Sequence, residues 1–335
     1  MKLLITGGAG FIGSHFIKYI LRKYQDYQII NLDKLTYCGN LDNLRSVEND
    51  SRYRFIKGDI CNLKFVNRIA SKRPDAIINF ASETHVDQSI LNPKDFIKTD
   101  ILGTHNLLEA TERYKIERFI QISTDEVYGS IRRGSFSEKR PLNPSTPYAT
   151  AKAAADLIVR SYFVTYKTPV LIARPSNNFG PNQYPEKIIP LFITNLLENK
   201  KVPLYGDGLN VREWLFVLDD CRAIDLILHK GKEGEIYNVG GGNKKTNLEV
   251  TRLILKEMKR DNDSIEYVKD RLCHDRRYSL NCNKIKREMN WEPRYGFELA
   301  LKRTISWYEN NRWWWEKLKS KKGYQKYYKK QYSNR

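Results

Sequence analysis

No apolar run in the 335-residue chain approaches the ~20 residues a helix needs to cross a bilayer, so a membrane-spanning helix is excluded. Cysteine is sparse. Cys38, Cys61, Cys221, Cys273 and Cys282 are odd in number and no two have CxxC spacing, which argues against both a disulfide framework and a zinc site. The five histidines include no HxxxH pair, and no metal is called for. No signal-peptide pattern opens the chain, so the expected location is the cytoplasm. Acidic residues are in deficit: 39 Asp and Glu face 58 Lys and Arg, for a net charge of +19. Nine Lys/Arg and one Glu between Arg312 and Arg335 contribute 8 of those charges. A basic surface suits an anionic ligand or nucleic acid. No nucleic-acid-binding motif accompanies the charge, so no nucleic-acid partner is expected.

What is present is a sizeable core, with 41% hydrophobic residues, and a regular alternation of short apolar strands with helices. Lys2–Thr6, Gln28–Leu32, Arg54–Ile56, Ala76–Phe80, Arg118–Ser123 and Val170–Arg174 read as strands, and Phe11–Tyr24 has helical periodicity. This pattern predicts an α/β fold: a Rossmann-like doubly wound parallel sheet with a smaller C-terminal α/β substrate-binding lobe. Residues 1–175 are assigned to the dinucleotide-binding domain and 176–315 to the lobe. The chain is expected to return to the main sheet at Glu213–Val217 or Ile236–Val239. The remainder, 316–335, is a basic, Tyr-rich tail. From Lys317 onward it is expected to be a frayed helix or disordered, and dispensable for turnover.

Gly7, Gly10 and Gly13 form a GxxGxxG loop between the first strand and the first helix, the context in which such a loop cradles a pyrophosphate. Gly7 permits the tight turn, Gly10 lets the backbone approach the ligand, and Gly13 lets helix and strand pack closely. Asp33 ends the second strand 20 residues after Gly13, where a carboxylate can hold the adenosine ribose hydroxyls. It would repel a 2′-phosphate, so NAD is expected rather than NADP.

Tyr148 and Lys152 form a YxxxK pair, one above the other on a helix. The ammonium, aided by the positive charge of a nicotinamide, can stabilise a phenolate and make Tyr148 a base. Alone, this pair is more readily an ordinary helix surface. The chain also carries Ser-Thr-Asp-Glu-Val-Tyr-Gly at 123–129, directly after the strand-like FIQI. Asp125 and Glu126 are thereby placed where α/β crevices form, and two carboxyl groups of different pKa can divide acid and base roles.

With ITGGAGFIGSH, DKLTYCGN, FASETHVDQS, STDEVYGS, PYATAK, RPSNNFGPNQYPEK, PLYGDGLNVREWLFV and DRLCHDRRY in order, the chain resembles the extended short-chain dehydrogenase/reductases. Within them it is similar to the dTDP-glucose 4,6-dehydratase family, from Lys2 to about Trp315. The Thr-Asp-Glu triplet separates that family from related epimerases and decarboxylases. The resemblance implies that Phe11, Ile12, Asp33, Lys34, Asp59, Ile60, Thr99 and Asn178 line an NAD site with Tyr148 and Lys152. It further implies that Thr84, Thr124, Asn177, Lys187, Tyr205, Arg212, Asn247, Arg271 and His274 hold the nucleotide sugar. Arg212 and Arg271 suit a diphosphate, which guanidinium groups bind in bidentate fashion. Cys38, Ser82, Thr84, Gln88, Pro175 and Cys273 depart from the usual family pattern without removing a reacting group.

The implied reaction has Tyr148 accept the C4 hydroxyl proton during oxidation, assisted by Thr124. Glu126 then removes the C5 proton and Asp125 protonates the departing C6 hydroxyl. The alternatives are a UDP-glucose 4,6-dehydratase, another nucleotide-sugar epimerase or decarboxylase, and a catalytically silent nucleotide-sugar-binding scaffold. Thymidine against uridine is left open. The resemblance also implies a homodimer through a four-helix bundle, for which Ile101, Leu102, Leu107, Leu108, Leu157, Ile158 and Phe163 are candidate apolar contacts.

Overall fold

The computed structural model describes residues 1–332. Its strands are β1 (Lys2–Thr6), β2 (Gln28–Asp33), β3 (Tyr53–Lys57), β4 (Ala76–Asn79), β5 (Arg118–Ile122), β6 (Val170–Pro175), β7 (Asn177–Phe179), β8 (Val202–Tyr205), β9 (Val211–Phe216), β10 (Ile236–Val239), β11 (Asn243–Thr246) and β12 (Ile265–Val268). The first six are those expected from the sequence, with ends shifted by a residue or two.

Seven strands form one parallel sheet in the order β10-β6-β5-β4-β1-β2-β3. Apolar side chains alternate between its two faces, as the pleat requires. Leu3 and Ile5 join one core cluster while Leu4 joins another, and Ile120 and Phe119 divide in the same way. Both faces are covered, which explains why these strands read as near-continuous hydrophobic runs. The strand order reverses between β1 and β4, and the carboxyl ends of both strands open on a crevice at that switch point.

The second lobe carries a three-stranded sheet (β11-β9-β7) and a two-stranded one (β12-β8) around a separate, aromatic-rich core. Phe179, Trp214, Phe297, Tyr308, Trp314 and Trp315 are all buried there. Of the two expected returns, Ile236–Val239 joins the main sheet beside β6, whereas Val211–Phe216 pairs with β7 and β11 in the lobe.

The tail corrects the sequence reading. Arg312–Lys319 and Lys322–Tyr332 are helices packed on the lobe. Trp314 and Trp315 donate to Asn43 Oδ1 and Tyr308 O, both at 2.9 Å, and Tyr324 is buried with its hydroxyl on Pro185 O at 3.1 Å. The frayed-helix expectation came from lysine content. The error was to overlook the tyrosines spaced along one helical face. Ser333–Arg335, the last three residues of the tail, lie outside the described residues.

The glycine loop is a tight joint in the fold. Gly7 has φ +67°, and a Cβ there would lie 2.5 Å from the Ala81 amide nitrogen; one on Gly13 would lie 2.6 Å from Gly7 O. Both obstacles are backbone and cannot swing away. Gly7→Ala should therefore cost about 2–4 kcal/mol of stability. Gly323→Ala, with nothing within 4 Å of its added carbon, should be near neutral. Thermal unfolding of the two variants checks this, and equal melting temperatures would refute it.

Candidate active site

One cleft at the carboxyl end of the large sheet gathers most of the residues picked from the sequence. Gly7, Gly10, Phe11, Ile12, Gly13, Asp33, Lys34, Asp59, Ile60, Thr99 and Asn178 line it. So do Thr124, Asp125, Glu126, Tyr148 and Lys152, together with Thr84, Asn177 and Lys187. They converge because β1, β2, β4, β5 and β6 run parallel, so their downstream loops share one edge.

At the dinucleotide end, Asp33 accepts hydrogen bonds from the Ala9 and Leu35 amides at 2.9 and 2.7 Å. That fastens the end of β2 to the glycine loop. Lys34 pairs with Asp59 at 2.8 Å, so its charge is already matched and is not free for a 2′-phosphate. Asn178 donates to Ser176 O at 3.2 Å, while its buried Oδ1 has no partner within the protein. The glycine cradle, the carboxylate at the end of β2 and this unsatisfied amide oxygen fit a dinucleotide.

Thr124 caps a single 3-10 turn, Asp125–Tyr128, that follows β5: its hydroxyl accepts from the Glu126 amide and donates to Asp125 Oδ1, both at 3.3 Å. Behind the turn lies a network that the sequence did not reveal. Tyr128 donates to Asn238 Oδ1 at 2.8 Å, Arg174 donates to the Tyr128 hydroxyl and to Asp156, and Ser123 donates to Asp156. It ties β5, β6, β10 and the helix Pro147–Tyr166 together, and so holds the two acids.

Those acids are electrostatically unlike. Burial drives the Asp125 carboxyl well above its ordinary value, and the adjacent Glu126 and Glu213 carboxylates reinforce the shift. Burial also raises Glu126, but Arg271, Arg212 and Lys187 oppose it. Both are thus held above the ordinary carboxyl range, Asp125 far above it and Glu126 less so because cations oppose its burial, an inequality that paired acid–base chemistry can use. Burial, Glu126 and Asp100 raise the Tyr148 phenol well above its ordinary value, while the Thr124 hydroxyl works the other way. Lys152 donates to Ile122 O at 2.6 Å and lies 3.7 Å from Asp100.

Tyr205, Arg212, Asn247, Arg271 and His274 are not on the wall of this cleft, although Arg212 and Arg271 act on Glu126. Arg212 stacks on Tyr278, its guanidinium carbon 4.4 Å from the ring centre. Arg212 Nη2 and Arg271 Nε are buried N–H groups without an acceptor, which is the arrangement an anionic diphosphate would satisfy. Asn247 is buried beside Asn210, whose amide side chain holds the His274 carbonyl. Burial, Arg271 and Arg212 keep His274 below its ordinary pKa against the pull of Asp270.

The chain matches the GDP-mannose 4,6 dehydratase family over residues 4–304. It is 48% identical to the dTDP-glucose 4,6-dehydratase of Streptomyces niveus over 324 residues, covering 96% of each chain. The chain belongs to the dTDP-glucose 4,6-dehydratase family. Among solved structures, the dTDP-glucose 4,6-dehydratase of Bacillus anthracis in complex with NAD is 50% identical, with a TM-score of 0.90 covering 95% of this chain and 99% of that one. The DesIV dehydratase of Streptomyces venezuelae is 48% identical, with a TM-score of 0.93 over 95% and 100%. A UDP-glucose 4-epimerase from Thermotoga maritima shares the fold at 29% identity and a TM-score of 0.87, over 93% of this chain and 100% of that one. Members of this family therefore differ from epimerases within one architecture, and the difference has to lie in side chains.

The C-terminal helix Lys322–Tyr332 reaches Asp87, which lies 3.9 Å from Arg271. Gln331 is buried and donates to Asp87 Oδ2 at 3.0 Å and to the Tyr205 hydroxyl. Tyr327 shares a hydrogen bond with His85 at 3.1 Å, and Tyr332 stacks on Tyr205 at 5.9 Å between centroids. Deleting residues 322–335 would strip these partners from Tyr205 and Asp87 without touching Asp125 or Glu126. It should raise KM for the nucleotide sugar at least tenfold, about 1.4 kcal/mol, with a smaller change in kcat. Steady-state kinetics on the folded, truncated protein checks this, and an unchanged KM would restore the view of the tail as dispensable.

Proposed function

We propose that the chain is a dTDP-glucose 4,6-dehydratase, an NAD-dependent hydro-lyase that converts dTDP-glucose to dTDP-4-keto-6-deoxy-glucose. The observation that carries this reading is the buried Asp125–Glu126 pair, one acid held toward its protonated form and the other facing two guanidinium groups. NAD, when bound, supplies the hydride acceptor for C4 and the hydride donor for C6. Residues 1–175, with the return at Ile236–Val239, serve the cofactor and 176–315 the nucleotide sugar.

Tyr148 accepts the proton of the C4 hydroxyl at its phenolic oxygen, and Thr124 donates a hydrogen bond to the C4 oxygen. Glu126 removes the C5 proton, which the 4-ketone has acidified. Asp125 donates its proton to the C6 hydroxyl, which leaves as water, and Glu126 returns a proton to C5. Arg212 and Arg271 hold the diphosphate, with Asn177, Lys187, Tyr205, Asn247 and His274 around the nucleotide and Thr84 near the sugar. An epimerase has no use for a second buried acid, and a scaffold has no use for either.

Substrate carrying deuterium at C4 should give product labelled in its new methyl group without added NADH. Glu126→Gln should still oxidise C4 slowly, with NADH absorbance appearing, but should lose C5 exchange with solvent. Tyr148→Phe should suppress the absorbance. Deuterium that stays at C4 during turnover would replace this reading with that of an epimerase.

We further propose a homodimer. Leu102 and Leu157, 44% and 56% exposed, face outward from adjoining helices, with Ile97, Val164 and Tyr166 also exposed. Leu107 and Leu108, expected among the contacts, are instead fully buried in the chain's own core, and Ile158 and Phe163 pack against that cluster. No helix among the described residues is long and apolar enough to cross a membrane. The five free thiols suit the reducing cytoplasm as the place of action. Light scattering at micromolar concentration should give twice the chain mass, and Leu102→Glu/Leu157→Glu should give the chain mass. A monomeric mass for the unaltered protein would exclude the dimer.

A further inference from the structure

Asp100 lies wholly buried in a π-helical stretch, Ile97–Gly103, between Pro93–Phe96 and the helix Thr104–Arg113. A π turn is wider than an α turn, and its rarity makes it a marker of local function. Here the stretch is pressed against the cofactor side of the cleft. A Cβ on Gly103 would lie 2.4 Å from Ile60 Cδ1, and Thr99 lines the cleft itself. Asp100 turns the other way, beneath Lys152, whose side chain is also buried.

The surroundings of Asp100 are poor in donors. Neither carboxylate oxygen makes a well-formed hydrogen bond, although the Ser82 hydroxyl and Glu83 amide are near enough to act on it. Ser82 directs its hydroxyl to Glu83 O instead, at 3.0 Å. The cation facing Asp100 is Lys152, 3.7 Å away. A buried carboxylate left without that partner would be strongly disfavoured. The remaining charged and titratable neighbours are Glu83, from the segment after β4, and Tyr148, one turn before Lys152.

Taking Tyr148 and Lys152 as the oxidation pair of the proposed function, we infer that Asp100 is a positioning residue for this reaction. It is the buried counter-ion that anchors the Lys152 ammonium and offsets its field at the Tyr148 phenol. Two constraints act on Lys152 at once. The Ile122 carbonyl accepts one of its protons at 2.6 Å, and Asp100 holds it from the adjoining helix. The ammonium is thereby fixed relative to Tyr148, and part of its charge is balanced. Burial raises the Asp100 carboxyl to about 6, against the pull of Lys152, so the offset operates above that pH and fades below it.

The sign follows from this. An ionised Asp100 disfavours the Tyr148 phenolate, so replacing it by a neutral group of the same shape makes the phenolate easier to form. Asp100→Asn should move the acid limb of the kcat/KM profile for dTDP-glucose to lower pH by at least about 0.5 unit. The two profiles should converge below about pH 6, where Asp100 is itself protonated. A side chain that only filled space would change activity by the same factor at every pH.

A stability cycle tests the ion pair without any turnover. Lys152→Met leaves the carboxylate buried alone, and adding Asp100→Asn should raise the melting temperature at pH 8 by at least about 2 °C. An acid limb unmoved within about 0.2 unit in folded Asp100→Asn overturns the inference. A double variant no more stable than Lys152→Met also overturns it, even where Asp100→Asn alone does not fold. If the unaltered protein does not dehydrate dTDP-glucose, the proposed function fails, while the stability cycle still decides whether Asp100 and Lys152 are paired.

Discussion

Burial of carboxyl groups around a few fixed cations is the constraint on which the rest of this structure depends. Asp100, Asp125, Glu126 and Glu213 are all within a tenth of full burial. In water each would be an ordinary anion; here each must find a cation, an N–H group or a proton. Glu213 takes the amides of Gly242 and Leu280, at 3.0 and 2.9 Å. Asp100 takes Lys152. Glu126 faces Arg271 and Arg212. For Asp125, burial and two like charges outweigh Arg212 and a neighbouring hydroxyl, so it takes the proton. Which carboxyl group holds a proton is therefore decided by what the other carboxyl groups have already claimed.

This distribution is possible because the cleft belongs to a parallel sheet. All its strands deliver their carboxyl ends to one edge, and the reversal between β1 and β4 leaves a crevice there that no crossover helix fills. The cofactor-side loops hang from β1, β2 and β4, and the acids from β5. Arg212 comes from β9 in the other lobe, and Arg271 from the segment after β12. Cations and carboxylates thus reach the same point from separate elements. The Tyr128–Arg174–Asp156 network braces the acids from the large-sheet side.

What the sequence disclosed follows from the range of each interaction. The glycine loop, Asp33, the Thr-Asp-Glu triplet and the Tyr148–Lys152 pair were legible because each is a short-range pattern on or beside a strand with strong periodicity. The parallel sheet was legible for the same reason. Arg212, Asn247, Arg271 and His274 have no local signature and came only through resemblance to a family. Asp100 gave no sign at all: its meaning depends on a π turn and on a lysine 52 residues away. Leu107 and Leu108 were drawn toward the dimer face because helical periodicity says which residues share a side, not which side meets solvent. The structure puts them at 0% exposure.

The C-terminal helix shows how composition misleads when charge is counted before pattern. Lys322–Tyr332 contains four lysines, but Tyr324, Tyr327, Tyr328 and Gln331 recur at spacings of three and four and share the inward face. Tyrosine suits that face. It covers apolar surface like phenylalanine and still offers a hydroxyl where the neighbours are polar. Tyr324 reaches a carbonyl, Tyr327 reaches His85, and Tyr328 accepts from Asn195 at 3.0 Å. A phenylalanine helix would have left those partners unsatisfied, and a lysine helix would have had no reason to dock. The helix is held both by its tyrosines packed on the lobe's aromatic core and by polar contacts to Asp87, His85 and Tyr205, so its docking and the placement of those three side chains are set by the same hydrogen bonds.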